Sequence, residues 1–402
     1  MARLLLAGGR VLDPGTGTDA ALDVLVDGPS IVDIGPGLAG EGAEVVDCSG
    51  LLVTPALVDL HVHVMAGLGD FCLEADRVGV GMGVPVVVDG GTSGVATFDV
   101  SRRAVIDHPG TQTRVLAFID PNQLYLATRD FICHRLLIAN DLKNLDEASL
   151  VDSLARNADV VVGLKVRACH TGDPTHSPFL EAAQRAAGPL PVMVHLGRFP
   201  HTAVITPPAL LSALRPGDII THAFRGAGGL LGADGKAIPE FRDAVDRGVR
   251  LDIGHSGTDF RFREARRLFD QGYLPDTAST DLNVFNVNGP VFSLVETLTK
   301  LLALGIDLPD VVAMGTTNAA RVIGRASELG SVAAGRPAEL GVLRLRSDGP
   351  FPVSDGVEVI DSPVALEPVG CVRGGTWFPT PALPSFATVG RTWGDAPDDT
   401  DW

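Results

Sequence analysis

The chain has 402 residues, 45% hydrophobic and 20% charged, which describes a folded protein with room for one large domain and an accessory one. A formal net charge of −17 excludes nucleic acid and an anionic membrane surface as default partners, though not a small anionic ligand at a locally positive site. The five cysteines are scattered and show no CxxC pair, so neither a disulfide framework nor a zinc knuckle is expected. No apolar run reaches membrane-spanning length, and the apolar start is broken at once by Gly8-Gly9-Arg10. A soluble, cytoplasmic protein is expected.

Residues 1–55 read as short strands (3–6, 10–12, 22–26, 30–34 and 44–47) separated by Gly, Pro and Asp turns, the punctuation of an all-β region. From Thr54-Pro55 the pattern changes. Eight apolar runs follow, at 57–63, 84–89, 113–119, 160–166, 191–196, 218–224, 249–255 and 276–282. Most are continuously apolar, as parallel strands covered on both faces are. Helical stretches fall between and after them, at 147–156, 179–187, 239–247, 262–271, 291–304 and 309–323. Eight such units are the size of a (β/α)8 TIM barrel; a doubly wound sheet is the competing α/β arrangement. Strand-and-turn character returns at 339–345, 357–360 and 369–372. The expected architecture is a barrel over 56–330 and a small β-sandwich built from both chain ends, 1–55 plus 331–383. An acidic tail, 384–402, carries Trp393 and Trp402.

In barrels, catalytic side chains stand at the C-terminal ends of strands. The first strand ends in His61-Val62-His63, and residues two apart on a strand share a face. The fourth carries Lys165, the fifth ends in His195, the sixth in His222 and the eighth in Asp281. Any one of these histidines alone would read as a packed core residue; four at equivalent strand ends point to a metal site, because imidazole and carboxylate suit zinc and similar ions. A buried lysine is an odd companion, since an ammonium cannot coordinate. Carboxylated by CO2, its terminus becomes a carbamate able to bridge two cations. His61, His63 and Asp281 then hold one divalent ion, His195 and His222 the other, and Lys165 is shared between them. Such a pair yields a bridging hydroxide at neutral pH, with Asp281 placed as general base. The other readings of Lys165 are a Schiff-base nucleophile or an anion anchor.

These stretches resemble the amidohydrolase superfamily, of the binuclear, carboxylated-lysine type, and within it the deacetylase/dihydroorotase-like branch. The resemblance rests on residues 54–63, 163–167, 191–195, 216–222, 279–282 and 286–290, with the ending 329–340 similar to the family's return from the barrel. It implies two zinc or manganese ions at the ligands named, and hydrolysis of an amide, cyclic amide or acyl ester of a small carboxylate-bearing molecule. Lactone opening or a lyase step on the same metals is the runner-up; a non-catalytic scaffold would be expected to have lost ligands. The sequence departs from the pattern at Glu339 (usually Asp), at Asn283 (usually His), at Ala223 and Arg225 (usually Cys and Asn) and at Ser256 (usually Gly). These departures bear on substrate more than on metal.

Arg167, two residues beyond Lys165, is a candidate clamp for a substrate carboxylate; a loop salt bridge is the plainer role. Arg225 and Asn283 are candidates for the same contact region, and His255 for polarising the carbonyl or protonating the leaving group. Asp89 reads as a partner of a ligand rather than a ligand. The long loop at 120–140 holds Asn122, Gln123, Tyr125, Arg129 and His134. Cys169-His170 is set aside as a nucleophile pair because adjacent residues on a strand point apart. The partner is a small molecule, and a homo-oligomer is left open.

Overall fold

The computed structural model describes residues 3–124, 141–197, 203–226 and 228–390. Tyr125, Arg129 and His134 of the long loop, and Trp393 and Trp402 of the tail, lie outside the described residues.

The first 55 residues form β1 (Arg3–Asp13), β2 (Thr18–Asp27), β3 (Ser30–Gly35), β4 (Ala43–Asp47) and β5 (Leu52–Pro55). The two short runs expected at 3–6 and 10–12 are one strand. The register of β1 against β2 shifts between Leu6 and Gly9, and Gly8 takes a left-handed φ of 69° there, so a glycine bulge makes one long strand look like two. β1 then pairs in parallel with β4 along its first half and with β5 at Arg10 and Val11.

The barrel strands follow: β6 (Val58–Val62), β7 (Val86–Gly94), β8 (Arg114–Asp120), β9 (Val161–Val166), β10 (Val192–His195), β11 (Ile219–Thr221) and β12 (Arg250–Leu251). They form a parallel sheet in sequence order. The eighth apolar run is not a regular strand, yet it closes the ring. Thr277 bridges Asp252 beyond β12, and Leu282 bridges Val62 of β6, both in parallel. The ladder is broken there by left-handed backbone at Gly254, Ser256 and Asp281, which cannot continue a strand.

Met193 pairs with Lys165 across β9 and β10, and Ile219 pairs with Met193 across β10 and β11. These three side chains therefore share a face with His195, two residues beyond Met193. Met193 and Ile219 belong to an apolar cluster with Val58, Val86, Val88, Leu116 and Phe118. The barrel interior is apolar where the strands begin and polar where they end. Ala319, Ala320 and Ile323 cap the apolar end. They come from the second of two helices, Leu308–Gly315 and Thr317–Val322, and the residue that ends it. The single helix expected at 309–323 breaks at Thr316 (φ −135°, ψ −94°), whose hydroxyl donates back to the Val312 carbonyl at 2.6 Å. The other expected helices are present with ends shifted by at most a few residues.

After the barrel come β13 (Leu340–Arg346), β14 (Phe351–Ser354), β15 (Val359–Ser362), β16 (Ala365–Arg373) and β17 (Thr376–Pro379). β14 and β15 pair only with each other, whereas β13, β16 and β17 join β1 to β5 in one eight-stranded sheet. Both parts of the chain that flank the barrel thus meet in a single sheet. It packs on its own apolar cluster, which includes Leu4, Leu6, Val24, Val26, Leu340 and Val342. Among the described residues no helix is long and apolar enough to cross a membrane.

Candidate metal centre

His61 and Lys165 are buried to 1% exposure and His222 to 0%, with His63 and His195 at 4% and 5%. Space for them comes from missing side chains on β7. A Cβ on Gly90 would stand 2.2 Å from Cδ2 of His61, and one on Gly91 2.5 Å from Cβ of Lys165. Gly90 and Gly91 are where the backbone of β7 lets the His61 imidazole of β6 and the Lys165 side chain of β9 approach each other.

These side chains gather around Asp281. Its Oδ1 lies 3.0 Å from Nε2 of His63 and 3.5 Å from Nε2 of His61, and its Oδ2 lies 4.0 Å from Nε2 of His222. Donor atoms of His61, His222 and Asp281 all fall within 4.8 Å of one another. His195 stacks its ring edge-on against His222 with centroids 4.3 Å apart. Lys165 Nζ is 2.9 Å from Nε2 of His61. The sequence set His61, His63, Lys165, His195, His222 and Asp281 is therefore brought to one place.

Two of these residues hold strained backbone: His222 has φ 65° and Asp281 φ 54°, a region costly for any residue with a Cβ unless its surroundings over-determine it. At Asp281 they do. Its N–H donates to the His61 carbonyl at 2.6 Å, and its own carbonyl accepts from the side-chain amides of Asn283 at 2.9 Å and Asn286 at 2.8 Å. The neighbouring Thr280 donates its N–H and its hydroxyl to Asp59 at 3.1 and 2.6 Å.

Electrostatics favour neutral imidazoles around one carboxylate. Burial pushes His61, His195 and His222 below the ordinary histidine range, and the nearby Lys165 charge adds to this. Burial pushes the Asp281 carboxyl up, and attraction to His61, His63 and His222 in their protonated forms outweighs it and holds the carboxyl below the usual range. Burial also lowers the Lys165 amine to about 8. Nδ1 of His222 lies 2.6 Å from the Gly254 carbonyl, which can only accept, so Nδ1 carries the proton and Nε2 presents a lone pair. That Nε2 is buried without a hydrogen-bond partner among the described residues, as is Oδ1 of Asp281. Buried acceptors facing acceptors are costly and call for a cation. The donor set of imidazole and carboxylate fits zinc or manganese.

The remaining candidates are placed differently. Arg167 is half-buried; desolvation lowers its pKa, and the charges of Asp120 and Asp281 oppose this. Arg225 donates through Nη1 to the Leu196 carbonyl at 2.7 Å and pairs through the same nitrogen with Asp259 at 3.2 Å, so that nitrogen is committed within the protein. Asn283 spends its amide on Asp281 and accepts the Phe285 N–H at 3.0 Å. His255 is fully buried; its Nε2 meets Lys300 Nζ at 2.8 Å and its Nδ1 the Gly257 N–H at 3.2 Å. Both ring nitrogens of His255 are thus engaged away from the imidazole cluster. Burial drives the Cys169 thiol up to about 12, which removes it as a nucleophile. Sequence reasoning gave no role to Thr92, Thr221 and Asn286, which bond to His63, His61 and Asp281, or to Asp252, which accepts from Thr221. Single Thr, Asp and Asn residues carry no period or spacing that would have marked them.

The sequence profile described as "Amidohydrolase family" matches residues 234–375. The chain is similar to a deacetylase of Brucella anthropi, 35% identical over 324 residues, covering 76% of this chain and 75% of that protein. It is also similar to a deacetylase of Agrobacterium fabrum, 33% identical over 340 residues, covering 80% and 78%. A dihydroorotase of Geobacter sulfurreducens matches 61 residues at 56% identity, 15% of this chain and 14% of that one. Among solved structures, a dihydroorotase superposes with a TM-score of 0.82 at 28% identity, over 96% of this chain and 100% of the other. An adenine deaminase superposes at 0.83 and 23% identity, over 94% and 100%, and shares the fold.

Proposed function

From the premise that the chain belongs to the amidohydrolase family and is a hydrolase of C–N bonds, we propose that it hydrolyses a small carboxylate-bearing molecule in a deacetylase-like reaction. The bond cleaved is an amide, a cyclic amide or an acyl ester, and two divalent ions take part. The observation that carries this is the convergence of three imidazoles on Asp281, with the Nε2 of His222 bare and buried.

In this reading His61, His63 and Asp281 hold one ion and His195 and His222 the other, with Lys165 shared as its N-carboxylate. The ions are zinc or manganese. When bound, they polarise a carbonyl oxygen and lower the pKa of water so that it is nucleophilic at neutral pH. An amine at about 8 is partly uncharged near neutrality; that form adds to the carbon of CO2 and loses a proton, leaving a carbamate. Asp281, held as a carboxylate by its surroundings, accepts the proton of the attacking water and delivers it to the leaving nitrogen or oxygen. Arg167, beside that carboxylate, takes the substrate's own carboxylate. Supporting the deacetylase direction are the two relatives so named, matched over three quarters of their length or more.

The same reading divides the chain into a catalytic barrel over 56–330, a β-sandwich formed by 1–55 and 331–383, and a tail from 384. The test is metal content by elemental mass spectrometry for the parent and for Lys165→Ala, run with a screen of N-acetyl and O-acetyl carboxylates. About two ions per chain, with metal and activity lost together in the variant, is expected. No metal after reconstitution with zinc or manganese and bicarbonate would overturn the proposal.

A further inference from the structure

We propose that Thr92 and Thr221 are positioning residues that fix the protonated nitrogen of His63 and His61, and so decide which ring nitrogen each histidine offers to the metal centre. The inference rests on the metal-dependent reading above, but its physical basis is hydrogen-bond geometry alone.

A hydroxyl has one hydrogen to give. Thr92 Oγ1 lies 2.8 Å from Nδ1 of His63 and 2.8 Å from Oδ2 of Asp89. Asp89 already accepts the N–H of Val64 and the N–H of Thr92 itself, so it sits in a ring of donors and acts as an acceptor. The hydroxyl hydrogen goes to Asp89, and the oxygen is left to accept from His63. Nδ1 of His63 therefore carries a proton, and Nε2 is the nitrogen turned to Asp281.

The same construction recurs on a different strand. Thr221 Oγ1 lies 3.0 Å from Nδ1 of His61 and donates to Asp252 at 2.8 Å. Asp252 also accepts the hydroxyls of Thr277 at 2.7 Å and Ser279 at 2.6 Å. On the far side of the His61 ring, Lys165 Nζ stands 2.9 Å from Nε2; a lysine terminus offers hydrogens, which matches a bare Nε2. Asp89, Thr92, Thr221 and Asp252 are each buried to 1% exposure or less, so no water competes for these bonds. Two unrelated stretches of chain thus build one carboxylate–hydroxyl–imidazole relay each, and the Gly254 carbonyl does the same for His222 directly. Partners of this kind orient a ligating ring and raise its basicity.

Nitrogen-15 NMR of histidine in the metal-free protein reads the protonated nitrogen directly. It is run on the parent and on Thr92→Val, Thr221→Val and the two serine variants, with zinc affinity measured by competition against a chromogenic chelator. In the parent, Nδ1 of His61 and of His63 carries hydrogen. Each valine variant loses that signature at its own histidine and weakens zinc about 10- to 100-fold, while serine restores both. An unprotonated Nδ1 in the parent overturns the inference without any variant. Valine variants that keep the Nδ1 signal and the parent zinc affinity overturn it too, leaving threonine a space-filler. A parent that binds no zinc defeats the metal reading instead, and the NMR result still decides the relay.

Discussion

The side-chain amide of Asn286 donates to the backbone carbonyl of Asp281, five residues earlier, at 2.8 Å. A second hydrogen of the same amide goes to the Ser256 carbonyl at 2.9 Å, so one residue ties the Asp281 backbone to the segment after β12. Asn286→Leu leaves the part-buried Ser256 carbonyl unpaired and the Asp281 carbonyl with the Asn283 amide alone. A stability loss of about 1–3 kcal/mol is expected, because the left-handed backbone of Asp281 loses one of its ties. Activity should fall at least about 100-fold in protein that still gives the parent circular dichroism. A variant that loses stability but keeps kcat would show that Asn286 serves the loop and not the carboxylate.

Gly90 is the tightest approach to the cluster. With a Cβ placed 2.6 Å from Nε2 of His61, Gly90→Ala must displace the ring. Metal content should drop well below the parent value while the thermal transition stays cooperative. Gly35→Ala, where the nearest atom is Leu38 Cδ2 at 3.7 Å, should retain full metal and is the control.

Removing the metal should cost stability that Lys165→Ala never had. A ligand at 100 times its dissociation constant contributes about 2.7 kcal/mol. Dialysis of the parent against a chelator should therefore lower its denaturant midpoint measurably, and the same treatment should leave Lys165→Ala unmoved. Equal midpoints for the parent before and after chelation would contradict metal binding by the folded state.

Glu339 is 6% exposed, and burial raises its carboxyl to about 7, with Arg373 pulling the other way. The native state therefore keeps a proton that the unfolded chain releases near its ordinary value of about 4.3. Stability from this group is full below that value and is lost as pH rises through about 7. Glu339→Gln should raise stability at pH 8 by on the order of 1–3 kcal/mol, read as a higher thermal midpoint, and change it little at pH 4. A larger gain at pH 4 than at pH 8 would reverse the assignment.

The gathering of His61, His63, Lys165, His195, His222 and Asp281 was legible because strand ends leave a regular trace. Apolar runs ending in His63, His195 and His222 put their chemistry at matching positions, and the barrel then brings those positions together. The clamps were not legible. Thr92 matters through a hydrogen bond to a ring 29 residues away, and Thr221 through one 160 residues away, distances at which sequence carries no pattern. Arg225 and Asn283 could be located beside the site but not oriented. Their side chains are claimed by Asp259, Leu196 and Asp281, competitors that exist only once the chain has folded. The bulge in β1 and the break at Thr316 escaped for the same reason, since each is set by backbone geometry and not by residue type alone.

The pairing of β5 with β13, which sets Pro55 beside Leu340, also dictates an order of assembly. The early strands can zip together as soon as they are made, yet β5 presents an open edge until the whole barrel and then β13 have been synthesised. Closing so long a loop is entropically slow, and an unpaired edge is an invitation to neighbouring chains. During biogenesis, therefore, the flank of β5 is the edge that waits longest for its partner strand.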